Sequence, residues 1–390
     1  MKYFEFVNKT KLIAGNNALE QFDYQCQQYH MTYPLILTDE VLIEVGVYSQ
    51  CIKHFSLPYI TYSHIPVDSS IHTIEDIVNL YQKHQCHGII AIGGGSVLDT
   101  AKGVYLMLSQ EVSSFDEIIG FESLEKGIDI PFFAIPTTSG TGSEATNVAV
   151  ISNLEKGVKM EIISEFMQFD VAFIDPRTTL NLPLKTTASC AIDALTHAIE
   201  AYSCSGKNPI SDVYAINAIQ MIFKNIDKII NHPKDKDART ALAIASYNAG
   251  CAFSNSMVGV VHGIGHALGA VCHIPHGDAM SMLLVPCMKF NQNQCQKLYG
   301  ELLLYVGGSE LYASTPIEKR ADKTIECIET LLNQLHITTK LPISLLSIDD
   351  LKSHIDEIVE KAMNDGAMLV NEKYVDYQDV MDILGGIYGY

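Results

Sequence analysis

The sequence predicts an α/β domain built on a parallel sheet, followed by an all-helical domain. Short apolar runs alternate with helical patterns in the first half of the chain, whereas long helical periodicities dominate after residue 183. Strands that alternate with helices at such intervals indicate βαβ units, which place their strands in parallel. A chain of 390 residues is also longer than one hydrophobic core usually organises. We therefore expect two domains, residues 1–183 and residues 184–390.

Four short apolar runs are the predicted strands of the first domain: residues 34–39, 59–62, 88–92 and 132–135. They are continuously apolar rather than alternating, which is typical of strands covered on both faces. Between them, residues 73–81 carry apolar side chains at helical spacing.

The second domain is predicted to consist of helices alone. Residues 209–212 resemble a helix start, because a proline stands at the first helical position. Residues 215–230 keep apolar side chains at helical spacing, and strand patterns nearly vanish after residue 183.

The composition is ordinary for a well-packed soluble protein, with 47% hydrophobic and 18% charged residues. The formal net charge of −19 disfavours nucleic acid and anionic membranes as partners. The chain shows no apolar stretch of signal-peptide or transmembrane length, and its ten cysteines form no CxxC pair. We therefore expect reduced thiols and a cytoplasmic location.

A glycine-rich stretch follows the third predicted strand and opens a helix. It reads Gly93-Gly94-Gly95-Ser96 and continues as VLDTAK. Such a turn lets backbone N–H groups approach a phosphate, and the helix N-terminus adds favourable partial charge. The alternative is a tight turn that needs glycine for positive φ angles. The pattern is neither GxGxxG nor a Walker motif, so both interpretations stay open.

A second polar loop, PTTSGTGSE at residues 136–144, follows the fourth predicted strand. Its hydroxyls and glycines suit a ribose or a pyrophosphate, although an ordinary connection has the same composition. Ligands bind at the carboxyl ends of parallel strands, so two such loops on neighbouring strands favour a dinucleotide. The first domain is therefore predicted to be Rossmann-like and dinucleotide-binding.

Asp39 ends the first predicted strand. A carboxylate at this position can accept hydrogen bonds from an adenosine ribose and would repel a 2′-phosphate, which favours NAD, with NADP still possible. A solvated turn aspartate is the competing interpretation.

Histidines concentrate between residues 262 and 276, where four of the fourteen in the chain occur. Histidine is the commonest metal ligand and the side chain best suited to proton transfer near neutral pH. His262 and His266 are four residues apart, as are Asp193 and His197 in a helical-looking segment. Each pair shares one helix face, so spacing alone nominates these four as ligands of one cation, with a surface contact as the alternative. Oxygen and nitrogen donors without thiolate suit Fe²⁺, Zn²⁺ or Mn²⁺.

Four motifs occur in a recognisable order: GGGSVLDTAK, PTTSGTGSEAT, DALTHAIEAY with NPISD, and HGIGHALG followed by PHG. Together they resemble the iron-containing (group III) alcohol dehydrogenase family. The resemblance runs in register from roughly residue 10 to residue 290, and the helical C-terminal part matches only loosely.

The resemblance implies a divalent metal, Fe²⁺ with Zn²⁺ as the alternative, in a cleft between the two domains. Its ligands would be Asp193, His197, His262 and His276, so the family pattern replaces His266 by His276. His266 would instead lie near the nicotinamide and the substrate, and we expect it to be the catalytic proton carrier. Packing behind the ligands is the alternative role for His266.

The resemblance also implies contacts with NAD from both loops and their surroundings. The lysine that follows the threonine-rich loop in the family is best matched by Lys159, with Lys156 as the fallback. The expected cofactor-binding residues are Asp39, Gly94, Gly95, Ser96, Asp99, Thr137, Thr138, Thr141 and Lys159.

The chain departs from the family pattern at three places. Val67-Asp68-Ser69 stands where relatives often carry an asparagine–proline pair, Asp278-Ala279-Met280 follows the PHG motif where relatives often carry an asparagine, and His273 is not a family-wide feature. These departures bear on the adenine contacts and the substrate pocket, not on the reaction type. Phe253 and the Ser254-Asn255 step are expected to line the substrate cavity, with plain core packing as the alternative for Phe253.

The implied function is that of a metal-dependent, NAD-linked alcohol dehydrogenase or aldehyde reductase. The metal would polarise the oxygen of a small alcohol or aldehyde, and a hydride would pass between substrate and nicotinamide. A polyol-phosphate dehydrogenase or a dehydroquinate-synthase-like lyase would need more Lys and Arg than residues 185–290 contain. A non-catalytic metal- or nucleotide-binding protein would keep every motif. By resemblance and size, we expect a homodimer or larger homo-oligomer.

Overall fold

The computed structural model describes residues 3–53, 55–119, 124–153, 158–337, 339–340 and 348–388. The chain forms two compact units. The α/β unit comprises Val7–Leu182 and Lys234–Tyr247, and the helical unit comprises Met1–Phe6, Pro183–Pro233 and Asn248–Tyr390.

Eight strands occur in the described part of the α/β unit: β1 Lys11–Ala14, β2 Leu35–Leu37, β3 Ile60–Tyr62, β4 Ile89–Gly93, β5 Phe132–Pro136, β6 Val148–Asn153, β7 Val158–Ile163 and β8 Val171–Ile174. Six of them form one sheet in the order β1-β8-β5-β4-β2-β3. All neighbours in this sheet are parallel, which confirms the predicted fold class. Strands β6 and β7 form a separate antiparallel pair.

The four predicted strands correspond to β2, β3, β4 and β5. Strand β1 escapes the apolar-run pattern because it lies at the sheet edge with half-exposed and exposed side chains. Strand β8 is fully buried, but four apolar residues are too few to distinguish a strand from a buried helical turn by pattern alone. Strands β2, β4, β5 and β8 are buried throughout and form the centre of the sheet.

In the described residues, six helices lie between these strands and a seventh, α7, follows β8: α1 Phe22–Gln28, α2 Glu40–Glu44, α3 Val47–Ile52, α4 Ile71–His84, α5 Gly95–Ser109, α6 Asp116–Ile119 and α7 Pro176–Thr179. The predicted helical stretch 73–81 lies within α4. Ser70 begins this helix as its N-cap, since its side chain accepts the Thr73 N–H.

The remaining helices are α8 Leu184–Ser203, α9 Pro209–Asn231, α10 Lys236–Phe253, α11 Val260–Cys272, α12 His276–Val306, α13 Gly308–Ser314, α14 Arg320–Gln334, α15 Ile348–Met363 and α16 Tyr377–Tyr388. The predicted start at Pro209 is confirmed, because the Asn208 side chain accepts the N–H groups of Ile210 and Ser211. Helix α12 packs against both α8 and α11. No helix in the described ranges is long and apolar enough to cross a membrane.

Most of helix α10 belongs to the α/β unit, a grouping that the predicted single boundary at residue 183 does not anticipate. Its contacts explain the grouping. Arg239 Nη2 donates to the Leu182 carbonyl at 3.2 Å, and the Tyr247 hydroxyl donates to the Thr10 carbonyl at 3.1 Å. These hydrogen bonds join α10 to residues distant in the sequence, for which there is no local pattern.

Candidate metal centre and dinucleotide loops

Helix α8 carries the first two candidate ligands on one face. Asp193 and His197 are about one turn apart, and His197 Nδ1 lies 3.7 Å from Asp193 Oδ1. Both residues are buried, at 3% and 5% exposure. The pair is therefore an internal feature of the helical unit and not a surface contact.

Helices α11 and α12 bring two histidines to the same place. His262 lies in the first turn of α11, and His276 is the first residue of α12. His276 Nε2 is 3.2 Å from Asp193 Oδ1, and the ring centroids of His262 and His197 are 4.3 Å apart. One ligand atom from each of the four residues lies within 4.8 Å of the other three. The structure thus groups the four residues that the family pattern predicts.

Two nitrogens of this cluster lack a hydrogen-bond partner among the described residues. They are His197 Nδ1 and His262 Nε2, and both are buried. A buried, unsatisfied polar group costs about 1–3 kcal/mol. Burial lowers the pKa of His197 to about 3, and burial with the neighbouring His276 lowers that of His262 well below its ordinary value. Both rings are therefore neutral and can bind a cation through their lone pairs.

Asp193 supplies the negative charge of the centre. Burial alone would raise the pKa of the Asp193 carboxyl, but His197 and His276 lower it, and the net shift is downward. One carboxylate and three imidazoles, without thiolate, suit Fe²⁺ or Zn²⁺. The residues present therefore fit the predicted metal.

Glu200 is a residue of the centre that motif matching missed. Its Oε2 lies 2.6 Å from His262 Nδ1, and its Oε1 accepts the Val261 N–H at 2.7 Å. With its Nδ1 proton donated to this carboxylate, His262 is held in the tautomer whose Nε2 lone pair faces the cluster. Burial raises the pKa of Glu200 to about 7. The spacing in the sequence could have indicated that Glu200 lies at this centre, because it follows His197 on the same face of α8.

Phe253 packs directly on a candidate ligand. Its ring stacks on that of His197 with centroids 4.3 Å apart and an interplanar angle of 17°. Asn255, also expected near the substrate, donates from Nδ2 to the Cys251 carbonyl at 2.9 Å. Phe253 therefore fixes the ring plane of His197, and a role for either residue in lining the substrate cavity stays a prediction.

His266 lies beside the four-residue cluster and is not part of it. Its ring stacks on that of His276 with centroids 5.5 Å apart, and its Nδ1 lies 2.9 Å from Asp365 Oδ2. Asp365 also accepts the Ala367 N–H at 2.8 Å, as the N-cap of a short 3-10 helix. Motif matching missed Asp365 because it lies in the C-terminal part, where the family motifs end.

His273, which had no predicted role, ends helix α11. It is exposed and has a φ of 53°, the left-handed conformation that commonly terminates helices. His273 therefore has a structural role at the end of α11.

In the α/β unit, the two polar loops emerge side by side. Strands β4 and β5 are neighbours, and their last residues, Gly93 and Pro136, are partners in the register. Helix α5 begins at Gly95 without a side-chain cap on its N-terminus. Its first N–H groups therefore lie uncapped by a side chain at the carboxyl edge of the sheet, a position that favours an anion.

The glycines of the first loop allow close approach of the second. None of the three glycines at 93–95 has a positive φ, so the tight-turn interpretation is wrong. A Cβ on Gly94 would lie 3.2 Å from Thr138 Cγ2, and one on Gly95 would lie 2.8 Å from Thr141 Cγ2. Both threonines are half-buried, whereas Thr137 is buried. The structure thus brings together five of the predicted cofactor-binding residues.

Ser96 and Asp99 bond to the protein itself. The Ser96 hydroxyl donates to the Val67 carbonyl. Asp99 Oδ1 accepts from the Ser143 hydroxyl at 2.7 Å, and its Oδ2 accepts the Val150 N–H at 3.0 Å. Asp99 therefore holds the threonine-rich loop in place, and a direct contact with a cofactor stays a prediction for both residues.

Asp39 and Lys159 also have partners in the protein. Asp39 is the N-cap of α2, since its Oδ1 accepts the Leu42 N–H at 2.8 Å, which supports the turn interpretation without contradicting a ribose contact through Oδ2. Lys159 Nζ lies 2.7 Å from Asp68 Oδ1. The fallback residue, Lys156, lies outside the described residues.

A buried lysine and glutamate below the threonine-rich loop were not predicted. Lys102 Nζ donates to Thr146 Oγ1 and to the Val148 carbonyl, both at 2.7 Å. Burial lowers the pKa of Lys102 to about 8 and raises that of Glu144 to about 7. Lys102 stands in the GGGSVLDTAK motif and Glu144 in the PTTSGTGSEAT motif. Lys102 binds the segment that ends the threonine-rich loop, through Thr146 and Val148.

Both parts of the chain match one family. Residues 9–176 match the iron-containing alcohol dehydrogenase family, and residues 187–388 match the family described as Fe-containing alcohol dehydrogenase, C-terminal. The chain belongs to the iron-containing alcohol dehydrogenase family. The predicted family, and with it the reaction class of alcohol dehydrogenase, is confirmed, and the match includes the C-terminal part that the motifs left open.

Named members of this family resemble the chain over nearly its whole length. Alcohol dehydrogenase 4 of Saccharomyces cerevisiae is 31% identical over 384 residues, which are 96% of this chain and 96% of the relative. NAD-dependent methanol dehydrogenase of Bacillus methanolicus is 29% identical over 375 residues, 95% of this chain and 96% of the relative. The crystal structure of a 1,3-propanediol oxidoreductase matches with a TM-score of 0.92 and 26% identity, covering 99% of this chain and 100% of that chain.

Proposed function

We propose that this dehydrogenase uses NAD and a divalent metal held by Asp193, His197, His262 and His276 to interconvert small alcohols and aldehydes. The observation that carries the proposal is the pair of buried, unpartnered nitrogens, His197 Nδ1 and His262 Nε2, among the described residues. They lie beside a carboxylate that is kept ionised. A metal-binding role accounts for all three features together, whereas a packing role leaves the unpartnered nitrogens unexplained.

A divalent metal at this centre would supply Lewis acidity toward the substrate oxygen, and NAD would accept or donate the hydride. The chain's own residues prepare the site. Glu200 holds the tautomer of His262, and Phe253 holds the ring plane of His197. The metal ligands are therefore oriented before any substrate arrives.

His266 is the proposed proton carrier. Asp365 accepts the proton of His266 Nδ1, so His266 Nε2 is left as the basic nitrogen of the ring. A neutral imidazole at this position can take the hydroxyl proton of an alcohol, or return it to an aldehyde under reduction. Asp365 acts through His266 and is a positioning residue.

NAD is the proposed cofactor, with NADP possible. The open N-terminus of α5 and the adjacent half-buried Thr138 and Thr141 support the binding of a dinucleotide. Asp39 at the end of the neighbouring strand β2 favours a free ribose over a 2′-phosphate. The name of the methanol dehydrogenase relative agrees with this choice.

The remaining proposals concern setting and assembly. All ten cysteines are free thiols, which supports a reducing compartment and hence the cytoplasm. The proposed partners are small alcohols and aldehydes, without nucleic acid or membrane. A homodimer or larger homo-oligomer is proposed from the family resemblance, and light scattering after size exclusion would measure it.

The first experiment supplies the purified protein with Fe²⁺ or Zn²⁺, with NAD or NADP, and with short primary alcohols, diols and aldehydes. We expect metal-dependent formation or consumption of reduced nicotinamide, measured by its absorbance. Absence of metal-dependent turnover on every substrate would refute the dehydrogenase proposal and favour a non-catalytic binding protein.

Two variants separate the proposed roles of the histidines. His262→Ala should lose the bound metal, measured by elemental analysis after dialysis. His266→Ala should keep the metal and lose about 10²- to 10⁴-fold in turnover, the usual range for a general acid–base group. His273→Asn is the control, because asparagine tolerates the left-handed backbone of this exposed helix end, and it should change neither property. Loss of metal in His266→Ala would contradict the assignment of the ligands.

A further inference from the structure

We propose that Asp68 weakens the binding of the dinucleotide by holding Lys159 in an ion pair beside the glycine-rich turn. The proposal rests on the proposed function, in which Lys159 contacts the cofactor.

The segment around Asp68 is fixed against helix α5. The Val67 carbonyl accepts the Ser96 hydroxyl, in the first turn of α5. One residue beyond Asp68, the Ser69 hydroxyl accepts from Thr100 Oγ1 at 2.9 Å. Asp68 is thus held between two anchored neighbours, on the order of 10 Å or less from the helix N-terminus, since consecutive Cα atoms are about 3.8 Å apart.

Lys159 reaches Asp68 from the antiparallel pair of strands. In the β6–β7 register Lys159 is opposite Ser152, and the Ser152 N–H donates to the Ser69 carbonyl at 2.7 Å. Strand β6 is thereby held alongside the 67–69 segment, and the Lys159 side chain extends from the neighbouring strand β7 so that its Nζ lies 2.7 Å from Asp68 Oδ1. The pairing follows from the register of two anchored segments and not from chance contact of two free side chains.

The pair is accessible to a ligand. The side chains of Lys159 and Asp68 are 32% and 57% exposed. An exposed ion pair contributes little free energy, so a phosphate can displace the carboxylate from Lys159. The Asp68 charge nevertheless stays within about one Debye length of the α5 N-terminus, where it opposes an anion. Asp68 therefore acts in two ways, by competing for Lys159 and by repelling the pyrophosphate.

Removal of the charge should tighten cofactor binding. Asp68→Asn keeps the size of the side chain and should lower the dissociation constant for NADH about two- to fivefold, the range expected from an exposed charge pair. Lys159→Gln should raise it. In the Lys159→Gln background, Asp68→Asn should have a smaller effect, because the competition for Lys159 is gone. The gain from Asp68→Asn should also shrink as salt rises.

The experiment is a titration of full-length protein with NADH, followed by nicotinamide fluorescence, at low and at high salt. Asp129→Asn is a matched control, because Asp129 pairs with Lys126 in another exposed ion pair of the same unit and should leave NADH binding unchanged. An unchanged or higher dissociation constant for Asp68→Asn would overturn this inference alone. If the unmodified protein does not bind NADH, the proposed function fails and the inference fails with it.

Discussion

The metal centre and the dinucleotide loops use their polar residues in opposite ways. At the metal centre, the donor atoms are side-chain atoms from α8, α11 and α12, and two of the buried nitrogens have no partner among the described residues. In the loops, the charged side chains of Asp99 and Lys102 form hydrogen bonds within the protein, and the half-buried side chains beside Gly94 and Gly95 are those of Thr138 and Thr141. The candidate centre thus holds buried donor atoms without a partner among the described residues, whereas the charged side chains of the loops are bonded within the protein.

This difference determines how each region should respond to substitution. A change at the centre removes or reorients a ligand, so its effect should fall on metal affinity. A change in the buried frame of the loops should alter stability and cofactor affinity while the metal stays bound. Three predictions sharpen the comparison, from the largest expected effect to the smallest.

The largest effect concerns the buried carboxyl of the loops. Burial raises the pKa of Glu144 from an ordinary 4.5 to about 7, so the folded protein holds this proton more tightly than the unfolded chain. The resulting stability is complete below pH 4.5 and is lost as the pH rises through 7. At about 1.4 kcal/mol per unit, it amounts to at most about 3 kcal/mol.

Glu144→Gln should remove the loss of stability that accompanies the rise in pH. The free energy of unfolding in urea, measured for both proteins between pH 4.5 and pH 7, should fall more steeply in the original protein. Contributions from other residues, such as Glu200, are present in both proteins and cancel in the difference. Parallel pH profiles would contradict the assigned protonation of Glu144.

The second prediction tests the orientation of a metal ligand. Glu200→Ala removes the carboxylate that holds His262, and we expect about 10- to 100-fold weaker metal binding, as is usual for such supporting residues. Competition with a chelator of known affinity would measure the metal affinity of each protein. Glu310→Ala, at an exposed position on α13, is the control. Equal metal affinity in Glu200→Ala would show that the fold alone orients His262.

The smallest predicted effect concerns the frame of the threonine-rich loop. Asp99→Ala removes both hydrogen bonds that hold this loop, and the KM for NAD should rise about fivefold to tenfold, since each hydrogen bond to a charged group contributes about 1.5–3 kcal/mol, of which loop ordering recovers part. The kcat and the metal content should change little. Asp99→Asn keeps one acceptor oxygen, so its KM for NAD should lie between that of the original protein and that of Asp99→Ala. A fall in kcat with an unchanged KM would indicate a role for Asp99 in the reaction itself.

Local sequence patterns were enough to predict four strands of the sheet and to locate the polar loops that follow two of them. The runs at 88–92 and 132–135 are continuously apolar because they form the buried strands β4 and β5, and their order placed both polar loops at one edge of the sheet. Asp193 and His197 could be paired from helical spacing alone. For the second pair, spacing alone nominated His262 with His266, which are also four residues apart, whereas the structure groups His276 of α12 with His262.

Other residues of the site lay beyond local pattern. Glu200 and Asp365 act through contacts with His262 and His266 that span 62 and 99 positions in the sequence. Asp99 and Lys102 were visible in a motif, but their hydrogen bonds with Ser143 and Thr146 are formed only when β5 and α5 are neighbours. Such partnerships have no periodicity, so no spacing rule finds them.

By itself, the sequence predicted the α/β and helical halves of this protein and its family, and the family resemblance pointed to the four residues grouped at the candidate metal centre. Hydrophobic periodicity and motif spacing are local properties of the sequence, so they can be recognised without knowing how the chain folds. Only the tertiary structure decided which carboxylate holds which histidine, why the glycines at 93–95 are needed, and that Asp68 pairs with Lys159. These depend on distances between segments that the chain brings together on folding.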